Sequence, residues 1–228
     1  MHICLFDIDG TLLNTGGAGQ AAMEAAIVER FGTTEPVRGI SYAGRTDRGI
    51  VQDIFAYYGF ALTPEAREAF VAAYLRNLPR HLEGRPGLVL PGVAELLAHL
   101  HAREDVTLGL LTGNLLEGAR LKLEHFGLAD YFDFALGAFG DEHLDRDDVA
   151  RAAWAAVRER HRHVEELTPD RVWVIGDTPA DVRCGRAIGA KVLAVATGVY
   201  PAEQLAAAEP DRLVADFTDA EAVLALWM

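Results

Sequence analysis

Hydrophobic and polar residues alternate along this chain in two patterns, one typical of buried strands and one typical of amphipathic helices. The first apolar run covers residues 2–6 and ends abruptly at an aspartate-rich segment, which indicates a buried strand followed by a loop. Beyond residue 92, short apolar runs alternate with segments of helical spacing. The predicted strands there are 106–112, 132–136, 171–177, 191–197 and 212–217, and the predicted helices are 93–102, 115–126, 147–161, 179–188 and one after Thr218. This alternation predicts an α/β fold with a doubly wound parallel sheet.

The part of the chain between the first two strands differs, because it shows helical spacing and no convincing strand. Three helices are predicted there, at residues 18–31, 46–60 and 63–78. Glycine and proline cluster at both ends of this stretch, where the pattern changes. We therefore predict an all-helical cap, residues 16–87, inserted into an α/β core that consists of residues 1–15 and 88–228.

The composition narrows the range of partners and compartments. Asp and Glu number 34 and Lys and Arg 21, which gives a formal net charge of −13 at pH 7. Such an acidic chain repels nucleic acid and anionic lipid, so we expect neither as a main partner. The chain has only two cysteines, which favours a reducing compartment. We find no signal peptide and no uncharged apolar run near the ~18 residues that span a bilayer, so we expect a cytoplasmic protein, either a monomer or a homodimer.

Polar residues end or directly follow three of the predicted strands. They are Asp7, Asp9, Gly10 and Thr11 after the first strand, Thr112, Gly113 and Asn114 after the second, and Asp177, Thr178 and Asp181 after the fourth. In an open parallel sheet the carboxyl ends of the strands meet at one edge, close to the point where the strand order reverses. Four carboxylates at one edge repel each other unless a cation lies between them, and Mg²⁺ is the natural candidate because it prefers oxygen ligands.

Three segments of the chain carry a family resemblance. FDIDGTLLNT (6–15), LLTGN (110–114) and GDTPADVRCGRAIGA (176–190) resemble, in order and context, the motifs of the haloacid dehalogenase superfamily of phosphotransferases. The resemblance spans nearly the whole chain, including the helical cap, and looks like the phosphoglycolate phosphatase type. It implies Mg²⁺-dependent hydrolysis of a small phosphorylated metabolite, phosphoglycolate or a sugar phosphate, through an aspartyl-phosphate intermediate.

The resemblance also implies a role for each polar residue at the strand ends. Asp7 would be the nucleophile that attacks phosphorus, and Asp9 would protonate the leaving alcohol and then activate water. The phosphoryl oxygens would be held by Thr112, Gly113 and Asn114. Mg²⁺ would be bound by Asp7, by the backbone carbonyl of Asp9, by Asp177 and, at or just behind the metal shell, by Asp181.

One feature of the family is missing, namely a lysine near the start of the helix that precedes the GDxxxD strand. Arg146 is the best substitute, and it would neutralise Asp7 and grip a phosphoryl oxygen. The alternative for Arg146 is a surface ion pair with Asp145 or Asp147. Lys122 lies inside an earlier helix, and we expect it to be a solvated surface residue.

Arg45 is a candidate substrate-binding residue contributed by the cap. It would reach down into the site and bind the far end of the substrate, for instance a carboxylate. In the alternative interpretation this segment is an ordinary helix start, in which Asp47 and Arg48 make capping and surface contacts.

Two other functions stay open beside phosphate ester hydrolysis. A phosphomutase on the same scaffold would return the phosphoryl group to a sugar instead of water. A catalytically silent binding protein would keep the fold without the reaction, and the missing lysine is its only support. Dehalogenation is disfavoured, because a departing halide needs no proton and Asp9 would have no role there.

Overall fold

The computed structural model describes residues 1–163 and 167–227 of the chain. The strands are β1 (His2–Phe6), β2 (Leu13–Asn14), β3 (Leu88–Val89), β4 (Val106–Leu111), β5 (Gly137–Ala138), β6 (Val172–Gly176), β7 (Lys191–Val195) and β8 (Arg212–Val214). The α-helices are α1 (Ala18–Phe31), α2 (Asp47–Tyr58), α3 (Pro64–Glu83), α4 (Val93–His101), α5 (Leu116–His125), α6 (Arg146–Arg160), α7 (Pro179–Ile188), α8 (Ala202–Ala207) and α9 (Ala220–Leu224). Short 3₁₀ helices cover Ala129–Tyr131, Pro169–Arg171 and Ala225–Trp227.

Six strands form one sheet in the order β5-β4-β1-β6-β7-β8, and each neighbouring pair is parallel. The chain builds outward from β1 through β4 to β5, and then adds β6, β7 and β8 on the other side of β1. The strand order therefore reverses at β1, and the loops that follow β1, β4 and β6 meet at one edge of the sheet. The predicted doubly wound α/β fold is confirmed.

Both faces of this sheet are covered by helices. Alternate side chains of a strand point to opposite faces, so Phe6 of β1 packs with the cluster of α4, α5 and α9, while Leu5 packs with that of α6 and α7. The two cysteines, Cys4 and Cys184, are free thiols buried in these clusters. None of the helices in the described residues is long and apolar enough to cross a bilayer.

The helices α1, α2 and α3 of the predicted cap pack around an apolar cluster of their own, which includes Phe55, Phe70 and Tyr74. Each of the helices α2 and α3 begins at a threonine N-cap, and the Thr63 hydroxyl accepts a hydrogen bond from the amide of Ala66. The chain segments that lead into and out of these helices lie side by side, because β2 and β3 form an antiparallel pair. The boundaries at residues 15/16 and 87/88 fall beside this pair and stay a prediction.

The predicted strand at residues 132–136 is wrong, because the strand at this edge covers only Gly137–Ala138. The Asp133 carboxylate accepts a hydrogen bond from the amide of Ala135 at 2.9 Å, and the Asp133 carbonyl accepts one from the amide of Leu136 at 2.9 Å. These bonds form a turn that displaces the strand. The sequence analysis also did not predict α8, β2 and β3. Each of these elements is too short to show a recognisable spacing of hydrophobic residues.

Gly92 and Gly127 offer a matched test of how closely the C-terminal segment packs on the core. Both have positive φ, 78° and 69°, but a Cβ on Gly92 would lie 2.0 Å from backbone atoms of Phe217, whereas Gly127 has nothing within 4 Å. Alanine costs about 1–2 kcal/mol at either position through left-handed backbone strain. Gly92→Ala should lower the free energy of unfolding by about 2 kcal/mol more than Gly127→Ala, because it also displaces backbone. Urea denaturation measures both, and equal losses would contradict the close packing.

Candidate active site

Asp7 is the first residue after β1, the central strand at which the order reverses. Its amide donates to the carbonyl of Ile175 at 2.9 Å, so it continues the pairing between β1 and β6 by one residue. The side chain of Asp7 is only 8% exposed. The chain then turns at once, with the amide of Leu12 bonded to the carbonyl of Ile8 at 2.9 Å. The end of β1 therefore fixes the position of Asp7, and the tight turn brings Asp9 to the same edge.

Three carboxylates gather at this edge, those of Asp7, Asp177 and Asp181, and one oxygen of each lies within 4.8 Å of the others. Asp177 directly follows β6, whereas Asp181 belongs to the first turn of α7. Asp181 also completes a capping box, in which its Oδ2 accepts from the amide and the hydroxyl of Thr178 at 2.9 and 2.7 Å. The capping box at the start of α7 thus fixes the position of Asp181, one member of the acidic cluster.

Arg146 is the cation of this cluster. Its guanidinium is 4% exposed, with Nη1 3.3 Å from Asp7 Oδ2 and Nη2 paired with Asp181 Oδ1. The alternative of a surface pair is wrong for Arg146, because its guanidinium is buried against Asp7 and Asp181. Asp145 and Asp147 pair with Arg183 instead. Burial lowers the pKa of Arg146, but the carboxylates of Asp181 and Asp7 raise it by more, so the guanidinium stays charged.

Burial also acts on the carboxylates. It raises the pKa of Asp7, with a further rise from the charge of Asp181 and an opposing effect from Arg146. Burial raises the pKa of Asp177 as well, and the charges of Asp181 and Asp7 add to that rise. Three carboxylates beside one guanidinium therefore hold more negative charge than the site balances by itself.

The acidic cluster has the donor set that Mg²⁺ prefers. Asp177 accepts a hydrogen bond from the Thr11 hydroxyl through Oδ1 at 2.8 Å. Its Oδ2 lies in a narrow space, where a Cβ on Gly10 or Gly198 would come within 2.5 or 1.7 Å of it. Buried carboxylate oxygens with excess negative charge fit a hard divalent cation. Both oxygens of Asp181 already accept from protein donors, which suits a position just behind the metal.

The Asp9 side chain points away from this cluster, so three of the four predicted carboxylates come together and the fourth does not. Asp9 Oδ2 accepts from Asn114 Nδ2 at 2.9 Å and from Lys122 Nζ at 2.6 Å. The expectation that Lys122 is a solvated surface residue is wrong. The lysine is 4% exposed, because α5 directs it inward to the loop that follows β1.

Thr112 lies fully buried behind the wall of the site. Its hydroxyl oxygen accepts from the side-chain amide of Asn114 at 2.8 Å, and its own hydrogen bond to Asp7 opposes the rise in the pKa of that carboxyl. Thr112 is thus beside the predicted nucleophile. Thr112 and Asp181, each 0% exposed, are the predicted site residues that do not line the cavity described next.

A cavity of about 400 Å³ opens above the strand ends and is bounded on its far side by the cap. The predicted residues on its wall are Asp7, Asp9, Arg45, Gly113, Asn114, Arg146 and Asp177. The Arg45 guanidinium pairs with Asp53 at 2.7 Å at the half-exposed rim. Gln20, Tyr42 and Tyr74 add polar groups from the cap side.

The start of α2 docks on the loop after β4. The amide of Asp47 donates to the carbonyl of Gly113 at 2.7 Å, and Asp47 Oδ2 accepts from the amide of Leu115 at 2.9 Å. A Cβ on Gly113 would lie 1.9 Å from the carbonyl oxygen of Arg45, so only glycine allows this approach. The alternative that Asp47 and Arg48 make only helix-start and surface contacts is therefore incomplete, because α2 does begin at Asp47 but the Asp47 carboxylate is buried against the loop after β4. Burial raises its pKa to about 6, against a lowering effect of the charge on Lys122.

Lys122 and Asp47 are therefore site residues that the sequence interpretation missed. A signal for Lys122 was available, because Gly118, Ala119, Lys122 and Leu123 have the spacing of one helix face and that face is buried. Asp47 was missed because an acidic residue is common in the first turn of a helix, where it interacts favourably with the helix dipole. Its contact with the amide of Leu115 has no signal in the sequence.

Comparisons with known proteins agree with this geometry. A family model described as haloacid dehalogenase-like hydrolase matches residues 1–189. The probable phosphatase IndB of Dickeya dadantii is 29% identical over 95% of this chain and 90% of its own. A phosphoglycolate phosphatase of Synechococcus elongatus is 28% identical over 94% of this chain and 92% of its own. A solved structure described as a predicted phosphoglycolate phosphatase, from Haemophilus somnus, has a TM-score of 0.72 at 19% identity and covers 100% of this chain and 98% of that one, which shows the shared fold.

Removal of Mg²⁺ should destabilise the chain more at high pH than at low pH. The raised pKa values of Asp7 and Asp177 mean that the folded chain holds protons that the unfolded chain releases. Without metal, the stability contributed by these groups is present at low pH and is lost as pH rises from about 4 through the raised pKa values. Because Mg²⁺ would bind the ionised carboxylates, its effect on the melting temperature should be larger at about pH 8 than at about pH 5.

Asp177→Asn is the matched control for this measurement, since it keeps an acceptor for Thr11 and removes the charge. Thermal melts of this variant should respond less to pH and less to Mg²⁺ than those of the parent chain. If Mg²⁺ changed the melting temperature of the parent chain equally at both pH values, the conclusion that the cluster holds excess negative charge would be contradicted.

Arg146→Met should lower the free energy of unfolding by about 3–5 kcal/mol in the presence of a chelator, because it leaves two buried carboxylates without their cation. Arg146→Lys should lose less, since it keeps the charge. Arg151→Met is the control on the same helix, because its pair with Asp148 is exposed, and it should stay within about 0.5 kcal/mol of the parent. Denaturant unfolding measures the free energy of unfolding of each variant. Equal losses for Arg146→Met and Arg151→Met would show that Arg146 does not balance the charge of the acidic cluster.

Proposed function

Because a family model matches residues 1–189, the chain belongs to the haloacid dehalogenase-like hydrolases, and from this premise we propose that it is a Mg²⁺-dependent phosphatase acting on a small phosphomonoester. The family resemblance of the three motifs is thereby confirmed. The observation that carries the proposal is the pairing of a buried nucleophile, Asp7, with a second carboxylate, Asp9, on the wall of one cavity.

In the first half-reaction, Asp7 attacks the phosphorus of the bound ester. A bond forms between an Asp7 oxygen and phosphorus, and the bond from phosphorus to the ester oxygen breaks. Asp9 gives its proton to the departing oxygen, which leaves as an alcohol. The products are an aspartyl-phosphate on Asp7 and an ionised Asp9.

In the second half-reaction, water replaces the alcohol. Asp9 takes a proton from the water as the water oxygen attacks phosphorus, and the bond to Asp7 breaks. Inorganic phosphate leaves, and both carboxylates return to their starting states. The Gly113 and Asn114 segment is the candidate for binding phosphoryl oxygens, and Thr112 supports it by fixing the Asn114 amide.

Mg²⁺ would be held by Asp7, by the backbone carbonyl of Asp9 and by Asp177, with Asp181 just behind. When bound, it offsets the negative charge that the phosphoryl group shares with Asp7. Arg146 adds a second positive charge next to Asp7, and its position beside both Asp7 and Asp181 supports it as the substitute for the family lysine. This support favours an active enzyme over a silent binding protein.

The substrate proposed is a small phosphorylated metabolite, with phosphoglycolate as the first candidate and sugar phosphates as the second. Curated relatives across most of the chain length bear the name phosphoglycolate phosphatase, and a cavity of about 400 Å³ suits a compact ester. Arg45 at the rim is the proposed ligand for the far end of the substrate. A cytoplasmic location belongs to the same proposal, supported by the two free thiols. Whether the chain is a monomer or a homodimer stays a prediction.

Phosphate release from a panel of small esters tests this function. The panel contains phosphoglycolate, several sugar phosphates, nucleoside monophosphates and an aryl phosphate. Release should require Mg²⁺, and Asp7→Asn should reduce it by about 1,000-fold or more, because an amide cannot form the aspartyl-phosphate. Acid quenching of the parent chain during turnover should trap phosphate in a linkage that hydroxylamine cleaves.

The Asp177→Asn variant separates the metal requirement from the nucleophile. It should need far more Mg²⁺ for the same rate, while Asp7→Asn should stay inactive at every Mg²⁺ concentration. Absence of phosphate release from all esters would overturn the phosphatase proposal. Conversion of a sugar phosphate into its isomer, dependent on traces of bisphosphate, would establish the mutase instead.

A further inference from the structure

Lys122 occupies a position that the general mechanism above leaves unexplained. It is one of two lysines in the chain, and the other, Lys191, is exposed at the opposite end of the sheet. Lysine is rarely buried unless it is paired, because removing an ammonium group from water is costly. An apolar residue at this point of α5 would fill the same space at no such cost. The charge itself therefore calls for an explanation.

The ammonium group of Lys122 joins two side chains at the end of the sheet. Nζ lies 2.6 Å from Asp9 Oδ2 and 2.6 Å from Asn114 Oδ1. Because Asn114 Oδ1 accepts from the lysine, its Nδ2 must face the other way, where it donates to Asp9 Oδ2 and to Thr112 Oγ1. The lysine thus sets the orientation of the asparagine amide as well as that of the carboxylate.

Asp9 is held by one oxygen only. Within the described residues both hydrogen bonds of its carboxylate go to Oδ2, which leaves Oδ1 for a reacting group. The Asp9 side chain is 41% exposed and belongs to a tight turn, so its own packing does not fix its rotamer. Without the lysine, Asp9 would keep one hydrogen bond, from Asn114, and the Asn114 amide would be held by Thr112 but no longer through its own Oδ1.

We propose that Lys122 is a positioning residue, which holds the Asp9 carboxyl in the orientation that delivers its proton to the leaving oxygen. This inference rests on the proposed function, because it takes Asp9 as the general acid. Lys122 acts through Asp9 and Asn114 and needs no contact with the phosphoryl group.

A positioning role for the acid predicts a dependence on the leaving group. An alkyl phosphate needs a proton on its departing oxygen, whereas a nitrophenyl phosphate leaves readily without one. The quantity to compare is kcat/KM, because it covers the steps up to departure of the alcohol and excludes hydrolysis of the aspartyl-phosphate.

The test measures Lys122→Met on one alkyl and one nitrophenyl ester that the parent chain hydrolyses. We expect kcat/KM to fall about 100-fold for the alkyl ester and less than about threefold for the nitrophenyl ester. Lys122→Arg, which keeps a donor, should recover part of the loss on the alkyl ester. Lys191→Met removes the other lysine and should leave both values unchanged.

A double variant shows whether the lysine acts through Asp9. Adding Lys122→Met to Asp9→Asn should cause little further loss on the alkyl ester, because the group to be positioned is already absent. The ratio of the two esters within one preparation is insensitive to any misfolded fraction. Circular dichroism and thermal melts of each variant measure that fraction separately.

Each outcome has a distinct meaning. A parent chain that hydrolyses no ester of the panel overturns the proposed function and this inference with it. An active parent whose Lys122→Met variant loses equally on both esters, or adds its full loss to that of Asp9→Asn, overturns this inference alone. The proposed function would then stand, with Lys122 contributing to stability or to substrate binding.

Discussion

The balance between three buried carboxylates and one guanidinium is the interaction on which the rest of this structure depends. Arg146 begins α6 and Asp181 lies in the first turn of α7, and their ion pair joins two helices that pack on the same face of the sheet. Asp7, at the end of β1, joins the same pair. Burying such charges is favourable only when each has its partners. The residues proposed for catalysis therefore also fix how the helices sit on the sheet.

The second constraint is the close approach of the start of α2, in the predicted cap, to the loop after β4. Gly113 belongs to the predicted phosphoryl-binding segment, yet its lack of a side chain is explained first by the carbonyl of Arg45, which lies where a Cβ would be. Gly140 is in the same situation, because a Cβ there would come within 2.0 Å of the Gly113 carbonyl oxygen. Three backbone segments thus meet at one point. Gly113 also lines the cavity, so the shape of the cavity depends on how α2 docks on this loop.

The fold and the acidic end of the site could be predicted from sequence because both depend on local pattern. Helices such as Ala18–Phe31 show their period directly, and Asp7 and Asp177 follow apolar runs that can only be buried strands. Residues whose role depends on distant partners could not be assigned that way. Lys122 meets Asp9 across 113 positions, and charged residues on helices are usually exposed. The predicted strand at 132–136 was wrong for a local reason. Asp133 forms a turn, and this turn outweighs the apolar pattern around it.

Two carboxylates that are only two residues apart in the chain, those of Asp7 and Asp9, have different surroundings in this site. Asp7 lies within the acidic cluster, where it is buried and paired with Arg146. Asp9 faces the other way, half-exposed, with a lysine and an amide as its partners. The end of β1 thus places Asp7 inside the cluster and Asp9 outside it, each paired with a different cation, which gives the two carboxylates the separate surroundings that the proposed nucleophile and the proposed acid would need.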